Sequence, residues 1–408
     1  MFEQKWEEGH GHARVPKWHK ASKIGVAILV ALFVFSLGVG VGQGKISWHG
    51  AGSVNRNLPA NLDYSSVNQV YNSLKANYSG TLTEGQLIDG LKHGLAEATN
   101  DPYTEYFTAA EAKQFSDQLN NSFSGIGAEL GKDKDGNLIV VSPIAGFPAD
   151  KAGLKPQDII TTINGTTTTG LGIDDAVTKI RGKAGTNVTL QVVRNHAQQL
   201  SLTITRQNIQ VPSVNTKILD GNIGYIQITT FANDTSGLIK QAAQKMKQAN
   251  VKGIVLDLRS DPGGLLPAAV DVSSEWLPQG ALVLQEKRGN TVVNSYMADG
   301  NDDLHGIPTV VLINEGSASA SEITAGALHD NKAAYVIGAK SYGKGVVQQL
   351  INFGDGSQLK VTVASWYRPD GENINHKGIT PDQTVKEPSD ATPANDPQLQ
   401  AASAYLNK

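Results

Sequence analysis

Apolar positions recur at helical spacing twice in the first third of the chain: Val67, Val70, Tyr71, Leu74 and Tyr78, then Leu87, Ile88, Leu91 and Leu95 before the turn at Asp101-Pro102. A third helix is predicted from Ala109 to about Leu119. From Ser122 to Arg206 the texture changes to short alternating runs separated by glycine turns. These are GIGAEL, NLIVVSPI and DIITTING, a helical stretch around Ile173 to Ile180, then NVTLQVVRN and LSLTITR. They predict a compact β-rich module. Beyond Val211 strand and helix patterns alternate: IGYIQI, a helix from Thr235 to Gln248, GIVLDL, a helix near Leu265 to Trp276, TVVLIN, and a helix from Ser319 onward. That alternation predicts an α/β core in which helices cover a sheet.

Ahead of these elements the pattern is different. Residues 24–44 carry no charge, and Ile24 to Val41 is apolar or small apart from Ser36, long enough to span a bilayer. Lys5, Arg14, Lys17, Lys20 and Lys23 precede the run, so the positive-inside bias places residues 1–23 in the cytoplasm and everything after Lys45 outside. A cleaved signal peptide is the alternative, but 23 residues precede the apolar run and no small-residue cleavage site follows it, so an uncleaved single-pass anchor in the cell membrane is expected. His10 and His12 are read as solvated cytoplasmic residues. Residues 45–60 are small and polar and read as a linker.

The chain has 408 residues and no cysteine, which removes disulfides and thiolate chemistry. Its net charge of −3 divides into +2 over residues 1–44, five Lys/Arg against three Glu, and −5 over the rest, 30 against 35. That balance gives no sign of a nucleic-acid partner. Glycine is abundant, 43 residues, and its clusters mark the places where backbone comes close to something.

Three such clusters could carry chemistry. In TVVLINEGSASASEI, residues 309–323, a buried-type strand enters a Gly-Ser-Ala turn and then a helix, where a serine would sit close to helix N-terminal amides. A serine at a helix start is ordinarily just an N-cap. His329 lies ten residues along the helix from Ser319, about 15 Å of rise, too far to act as its base. His305 and His376 have no carboxylate partner at suggestive spacing. Lysine is left as the candidate base, and Lys344, between Gly343 and Gly345 and flanked by apolar runs, is the prime candidate, because desolvation would free its amine. Gln348, four residues on, shares its face in a strand or a helix and could hold the Lys344 nitrogen. The third cluster, Asp261-Pro262-Gly263-Gly264, ends a strand before a helix and could offer backbone N–H groups to an oxyanion.

Taken together, these motifs resemble the C-terminal processing peptidases, tail-specific serine proteases with an inserted PDZ domain. The resemblance rests on DPYTEYF (101–107), SGIGAEL through RGKAGT, LDLRSDPGG, NEGSASASEI, GKGVVQ and YRPDGENINHKGITPD (367–382), and covers about Leu87 to Asp382. It implies Ser319 as nucleophile, Lys344 as general base and Gln348 as the residue orienting it, with the N–H groups of Ala320 and Gly264 as oxyanion donors. Asp330 is assigned a structural role. The resemblance also implies that Ser124, Gly125, Ile126 and Gly127 receive a substrate C-terminal carboxylate, the strand from Ile126 adding the peptide as an extra strand, and that Arg181 couples this module to the protease core. Ser260-Asp261 departs from the usual family residues and leaves Pro-Gly-Gly intact.

The expected architecture is α+β and multidomain. After the anchor and linker come a helical region (61–121), a PDZ domain (122–206), a crotonase-like α/β serine protease core (207–386) and a C-terminal tail (387–408). The expected function is a membrane-anchored serine endopeptidase that recognises protein C-termini and needs no metal or cofactor. Its partners would be proteins with accessible or unstructured C-termini and the membrane, and the helical region is compatible with a homo-oligomer. The rival reading is a membrane-tethered PDZ scaffold with an inactive protease core.

Overall fold

The structure is a computed structural model that describes residues 58–59, 61–195, 197–386 and 395–408. The expected cytoplasmic segment 1–23, the membrane helix 24–44 and nearly all of the 45–60 linker lie outside the described residues. Among the described residues no helix is long and apolar enough to cross a membrane. The chain divides between Thr81 and Leu82 into two units. In the first, helix α1 (Ser65–Asn77) leaves Val70, Tyr71, Leu74 and Tyr78 exposed along or just beyond it.

The second unit begins with α2 (Glu84–Glu97), strand β1 (Glu105–Phe107) and α3 (Ala109–Leu119). Both helices start with a capping box, Thr83 with Gln86 and Thr108 with Glu111, which satisfies backbone donors that a helix start otherwise leaves open. The region expected to be purely helical therefore contains a strand. Tyr106 and Phe107 are buried because β1 joins a sheet of the core, with Tyr106 opposite Leu359.

The β-rich module comprises β2 (Ser122–Gly125), β3 (Ala128–Lys132), β4 (Leu138–Pro143), α4 (Pro148–Lys151), β5 (Ile159–Ile163), β6 (Thr166–Thr167), α5 (Ile173–Ile180), β7 (Asn187–Arg194) and β8 (Gln198–Thr205). Its sheet runs β3-β4-β5-β7-β8, which leaves β3 at an edge. Val140, Ile160, Val188, Leu190 and Ile204 form its core with Ala176 and Ile180 of α5. Strand β9 (Gln207–Gln210) pairs antiparallel with β2 in a separate ladder. Ser124 and Gly125, expected in an open carboxylate-binding loop, are thus ladder residues opposite Asn208 and Gln207.

The larger core follows, with β10 (Val214–Leu219), β11 (Ile223–Ile228), α6 (Thr235–Gln248), β12 (Gly253–Asp257), α7 (Leu266–Ser274), β13 (Leu282–Arg288), β14 (Thr291–Met297), β15 (Thr309–Ile313), α8 (Ala320–Asp330), β16 (Tyr335–Gly338), β17 (Val346–Asn352), β18 (Gln358–Tyr367), β19 (Gln383–Thr384) and α9 (Pro397–Leu406). One sheet is ordered β10-β11-β12-β15-β16-β19, parallel except for the β10–β11 pair. Strands β12 and β15 are buried at every position, as expected of a parallel sheet covered on both faces. Ile254, Leu256, Val311 and Ile313 face one cluster with residues of α6, α7 and α8, while Val255, Val310 and Leu312 face Ala402 and Leu399 of α9.

Helix α9 corrects the expected tail: residues 395–408 cover a face of the sheet. Arg259 ties it down, reaching Asp257 at 2.6 Å and Asp396 at 2.8 Å. A second, antiparallel sheet of β1, β18, β13 and β14, with β17 also paired to β18, completes the core.

Candidate active site

The strand-to-helix turn between β15 and α8 separates its three serines by what surrounds them. Ser317 is fully buried, and its hydroxyl donates to the Leu258 carbonyl at 2.7 Å while accepting the Asn314 N–H. Ser321 is also fully buried and donates to the Asp261 carbonyl at 2.9 Å. Ser319 is half-buried and lines a cleft of about 980 Å³. Its backbone stands at φ +53° and ψ −112°, a conformation that strains any residue with a Cβ. Such strain at a strand-to-helix turn lifts a side chain out of the regular path and presents it to the cleft.

Lys344 lines the same cleft from the loop before β17. Its main chain is pinned at both ends, the N–H donating to Glu322 Oε2 at 2.9 Å and the carbonyl accepting from Trp366 Nε1 at 2.9 Å. Its ammonium lies 5.0 Å from the centre of the Tyr103 ring. Burial holds its pKa below the usual lysine range and the nearby Lys360 charge acts in the same direction, while Asp101 and Glu322 oppose them. A lysine in this setting gives up its proton more readily than one in water.

Glu322 joins the two. It has no exposed surface, and its Oε2 accepts the N–H of both Ser319 and Lys344, each at 2.9 Å. Its Oε1 accepts the Gly343 N–H at 2.7 Å and the Ser341 hydroxyl at 2.5 Å. The Ser341 Oγ itself accepts from Ile379 N–H, which leaves its hydrogen for Glu322. Burial raises this carboxyl's pKa, and the donors work against that shift. With a donor on every side, the group belongs there as a carboxylate at the N-terminal turn of α8.

The Pro262–Gly264 turn forms the opposite wall. Gly263 has φ +95°, and a Cβ there would lie 2.6 Å from the Ala318 carbonyl, 2.8 Å from Ala320 N and 2.9 Å from Ser319 Cβ. The turn is therefore packed against the serine turn with no room for a side chain. Gly263 N–H donates to Asp261 Oδ1 at 2.8 Å, so Gly264 N–H is the candidate oxyanion donor from this turn.

Gln348 also lines the cleft, but its amide donates to Thr362 Oγ1 at 3.3 Å, and Lys344 lies in the loop before β17 begins at Val346, so strand alternation does not carry from one residue to the other. In the β-rich module, Gly125, Ile126 and Gly127 line a smaller groove between β3 and α5, together with Phe123 and Arg181. The Arg181 guanidinium stacks over the Phe123 ring at 5.0 Å, and both residues also line the large cleft. Ser124 Oγ is buried without a partner.

The histidines stand elsewhere. His329 contacts Asp330 and Asp382, and Asp330 pairs with Arg368. Glu322, Tyr103, Lys360 and Trp366 were not singled out from sequence. For Glu322 and Tyr103 the available signal was their position within GSASASE and DPYTEYF, whereas Lys360 and Trp366 reach the site from β18, away from these motifs.

A fold with a PDZ-like module beside an α/β core, and a serine and a lysine sharing one cleft, defines the class of PDZ-bearing serine peptidases. Family comparisons give the same class. The Peptidase family S41 profile matches residues 222–385 and a PDZ domain profile matches residues 139–194. The chain is 38% identical over 325 residues to the carboxy-terminal processing protease CtpA of Bacillus subtilis (strain 168), covering 80% of this chain and 69% of that protein. It is 39% identical over 366 residues to a CtpA-like serine protease of Staphylococcus aureus (strain MRSA252), covering 90% of this chain and 72% of the relative. The crystal structure of an S41 protease from Bacteroides fragilis NCTC 9343 shares the fold, with a TM-score of 0.55 at 15% identity, covering 86% of this chain and 99% of the other. The chain belongs to peptidase family S41, among the C-terminal processing serine proteases.

Proposed function

We propose that this protein is a membrane-anchored endopeptidase that cleaves proteins near their C-termini with Ser319 as nucleophile and Lys344 as general base. The observation that carries the reading is the separation of the three serines: Ser317 and Ser321 are buried and bonded to carbonyls, and Ser319 alone of the three opens to the cleft that holds Lys344.

In the proposed reaction neutral Lys344 takes the Ser319 hydroxyl proton as Oγ attacks the scissile carbonyl. The N–H groups of Ala320 and Gly264 receive the oxyanion. The Lys344 ammonium then returns its proton to the leaving amine, and water, deprotonated by Lys344, releases the acyl group. Gln348 lines the same cleft with its amide on Thr362 Oγ1, and the proposed reaction draws no bond from it to Lys344. Upstream, the groove at β3 takes the substrate C-terminus as an added strand with its carboxylate near Ile126 and Gly127, and Arg181, which lines both groove and cleft, relates the two sites. The uncharged run 24–44 holds the enzyme at the membrane with the peptidase outside.

The test uses the full chain in detergent with an unstructured protein substrate. Cleavage should vanish on Ser319→Ala and on Lys344→Ala. Undiminished cleavage by either variant overturns the dyad, and absence of cleavage by the unaltered protein favours a peptide-binding scaffold.

A further inference from the structure

Asp261 is a buried carboxyl that the proposed reaction does not use. It has no exposed surface, and it stands between Ser260, at φ +56°, and the Pro262–Gly264 turn. Its backbone carbonyl accepts the Ala318 N–H at 3.0 Å and the Ser321 hydroxyl at 2.9 Å, so it is stitched to the residues on either side of the Ser319 turn. Its Oδ1 accepts the Gly263 N–H at 2.8 Å, and the Gly263 carbonyl accepts from Phe231 N–H and the Thr230 hydroxyl, each at 2.9 Å. Asp261 Oδ2 is buried and has no hydrogen-bond partner.

A charge on this group would lie partly on an oxygen that nothing solvates. The charged groups of the surrounding elements are committed elsewhere. Arg259, after β12, is bonded to Asp257 and Asp396, and Glu322 of α8 takes donors from Ser319, Ser341, Gly343 and Lys344. Lys344 is stacked near Tyr103 in the cleft. The hydrogen-bond donor on the Asp261 carboxyl is the Gly263 N–H, the Ser321 hydroxyl being bonded to the backbone carbonyl instead, and burial outweighs what these groups do for the charge.

We propose that Asp261 works as a neutral, protonated positioning residue that holds the Pro262–Gly264 turn against Ser319, and that its ionisation closes the enzyme's working range on the alkaline side. The proposal rests on the Ser319/Lys344 reading. Burial pushes the carboxyl up to about 8, which places the loss of its proton within reach of an activity profile. The neutral acid keeps Oδ1 as an acceptor for Gly263 without burying a charge, whereas the carboxylate must draw in water or turn toward it, which moves Gly263 off the Ser319 turn. Lys344 needs to lose its proton and Asp261 to keep one, so activity is confined between an acid limb from the lysine and an alkaline limb from the aspartate.

The test compares the full chain with Asp261→Asn and Asp261→Ala in peptide hydrolysis from pH 6 to 10, alongside thermal unfolding at pH 6 and 9. The unaltered enzyme should fall in kcat from its optimum to pH 10, and Asp261→Asn, whose amide oxygen still accepts from Gly263 but cannot ionise, should lose that fall. Asp261→Ala should lower kcat about tenfold at every pH, because the Gly263 acceptor is gone. The stability gap between Asp261→Asn and the unaltered protein should widen in favour of the variant as pH rises. An unchanged alkaline limb in Asp261→Asn overturns the proposal, as does a stability gap independent of pH, which can be read even if the variant is poorly active. If Ser319→Ala still cleaves in the same assay, the underlying dyad reading has failed instead.

Discussion

Replacing Glu322 by Gln exchanges a carboxylate for its nearest isostere, yet the geometry allows no orientation in which the amide fits. With its oxygen toward Ser341 and Gly343, the NH2 meets the N–H groups of Ser319 and Lys344, which now lie 2.9 Å from one carboxylate oxygen. Flipped, the NH2 meets the Gly343 N–H and the Ser341 hydroxyl. Either way two buried donors lose their acceptor, at about 1–3 kcal/mol each, or about 2–6 kcal/mol in all before the relief of burying a charge is set against it. One orientation opens the Ser319 and Lys344 N–H groups and the other opens the Gly343 N–H and Ser341 hydroxyl beside Lys344, so in either case displacement of these loops by tenths of an ångström to 1 Å should lower kcat about 100-fold. The sign of the pH effect also follows. Glu322 is one of the groups favouring the Lys344 ammonium, so without its charge the lysine loses its proton at lower pH and the acid limb moves down. Urea unfolding and a kcat profile from pH 5 to 9, with active molecules counted by titration of the serine, give both quantities. Wild-type stability together with an unshifted acid limb would refute the reasoning.

Gly263→Ala adds a Cβ within 2.6–2.9 Å of Ala318, Ser319 and Ala320 at a positive φ, and should lower kcat/KM about 100-fold while destabilising by about 2–4 kcal/mol, as read by hydrolysis and thermal melts. Lys360→Gln removes a like charge from the surroundings of Lys344, so the lysine holds its proton to higher pH and the acid limb should move upward. The Glu105 carboxylate 2.9 Å from Lys360 moderates that shift. Ser319→Gly should abolish cleavage and yet be about 1 kcal/mol more stable than Ser319→Ala in denaturant unfolding, because glycine tolerates φ +53°.

The periodicity of the chain located most helices and the strands of the parallel sheet, because elements buried on one or both faces must show it. Helix α8 and strands β12 and β15 are legible in this way. Strand β1 and helix α9 were missed for a related reason. Three residues, Glu105–Phe107, are too few to show alternation, and PQLQAASAYL puts a polar residue, Gln398, on its buried side, so the pattern shows little contrast between faces and its partner could be recognised only in three dimensions. The site was legible where glycine and serine clusters broke the pattern, and the family resemblance ordered those clusters. Glu322 and Asp261 were not legible, since their importance lies in burial and in which donors converge on them. Gln348 shows the limit of counting residues along a strand: Lys344 lies in the loop before β17 begins at Val346, so a spacing of four does not set a shared face.

The account's central claim, that Lys344 activates Ser319, is tested most directly by the rate at which a serine-reactive fluorophosphonate labels the protein, with the modified residue identified by mass spectrometry. The predicted result is a single adduct on Ser319, forming faster as pH rises through the acid limb and at least about 100-fold more slowly in Lys344→Ala. An adduct on Ser317 or Ser321, or an unchanged labelling rate in Lys344→Ala, would contradict it.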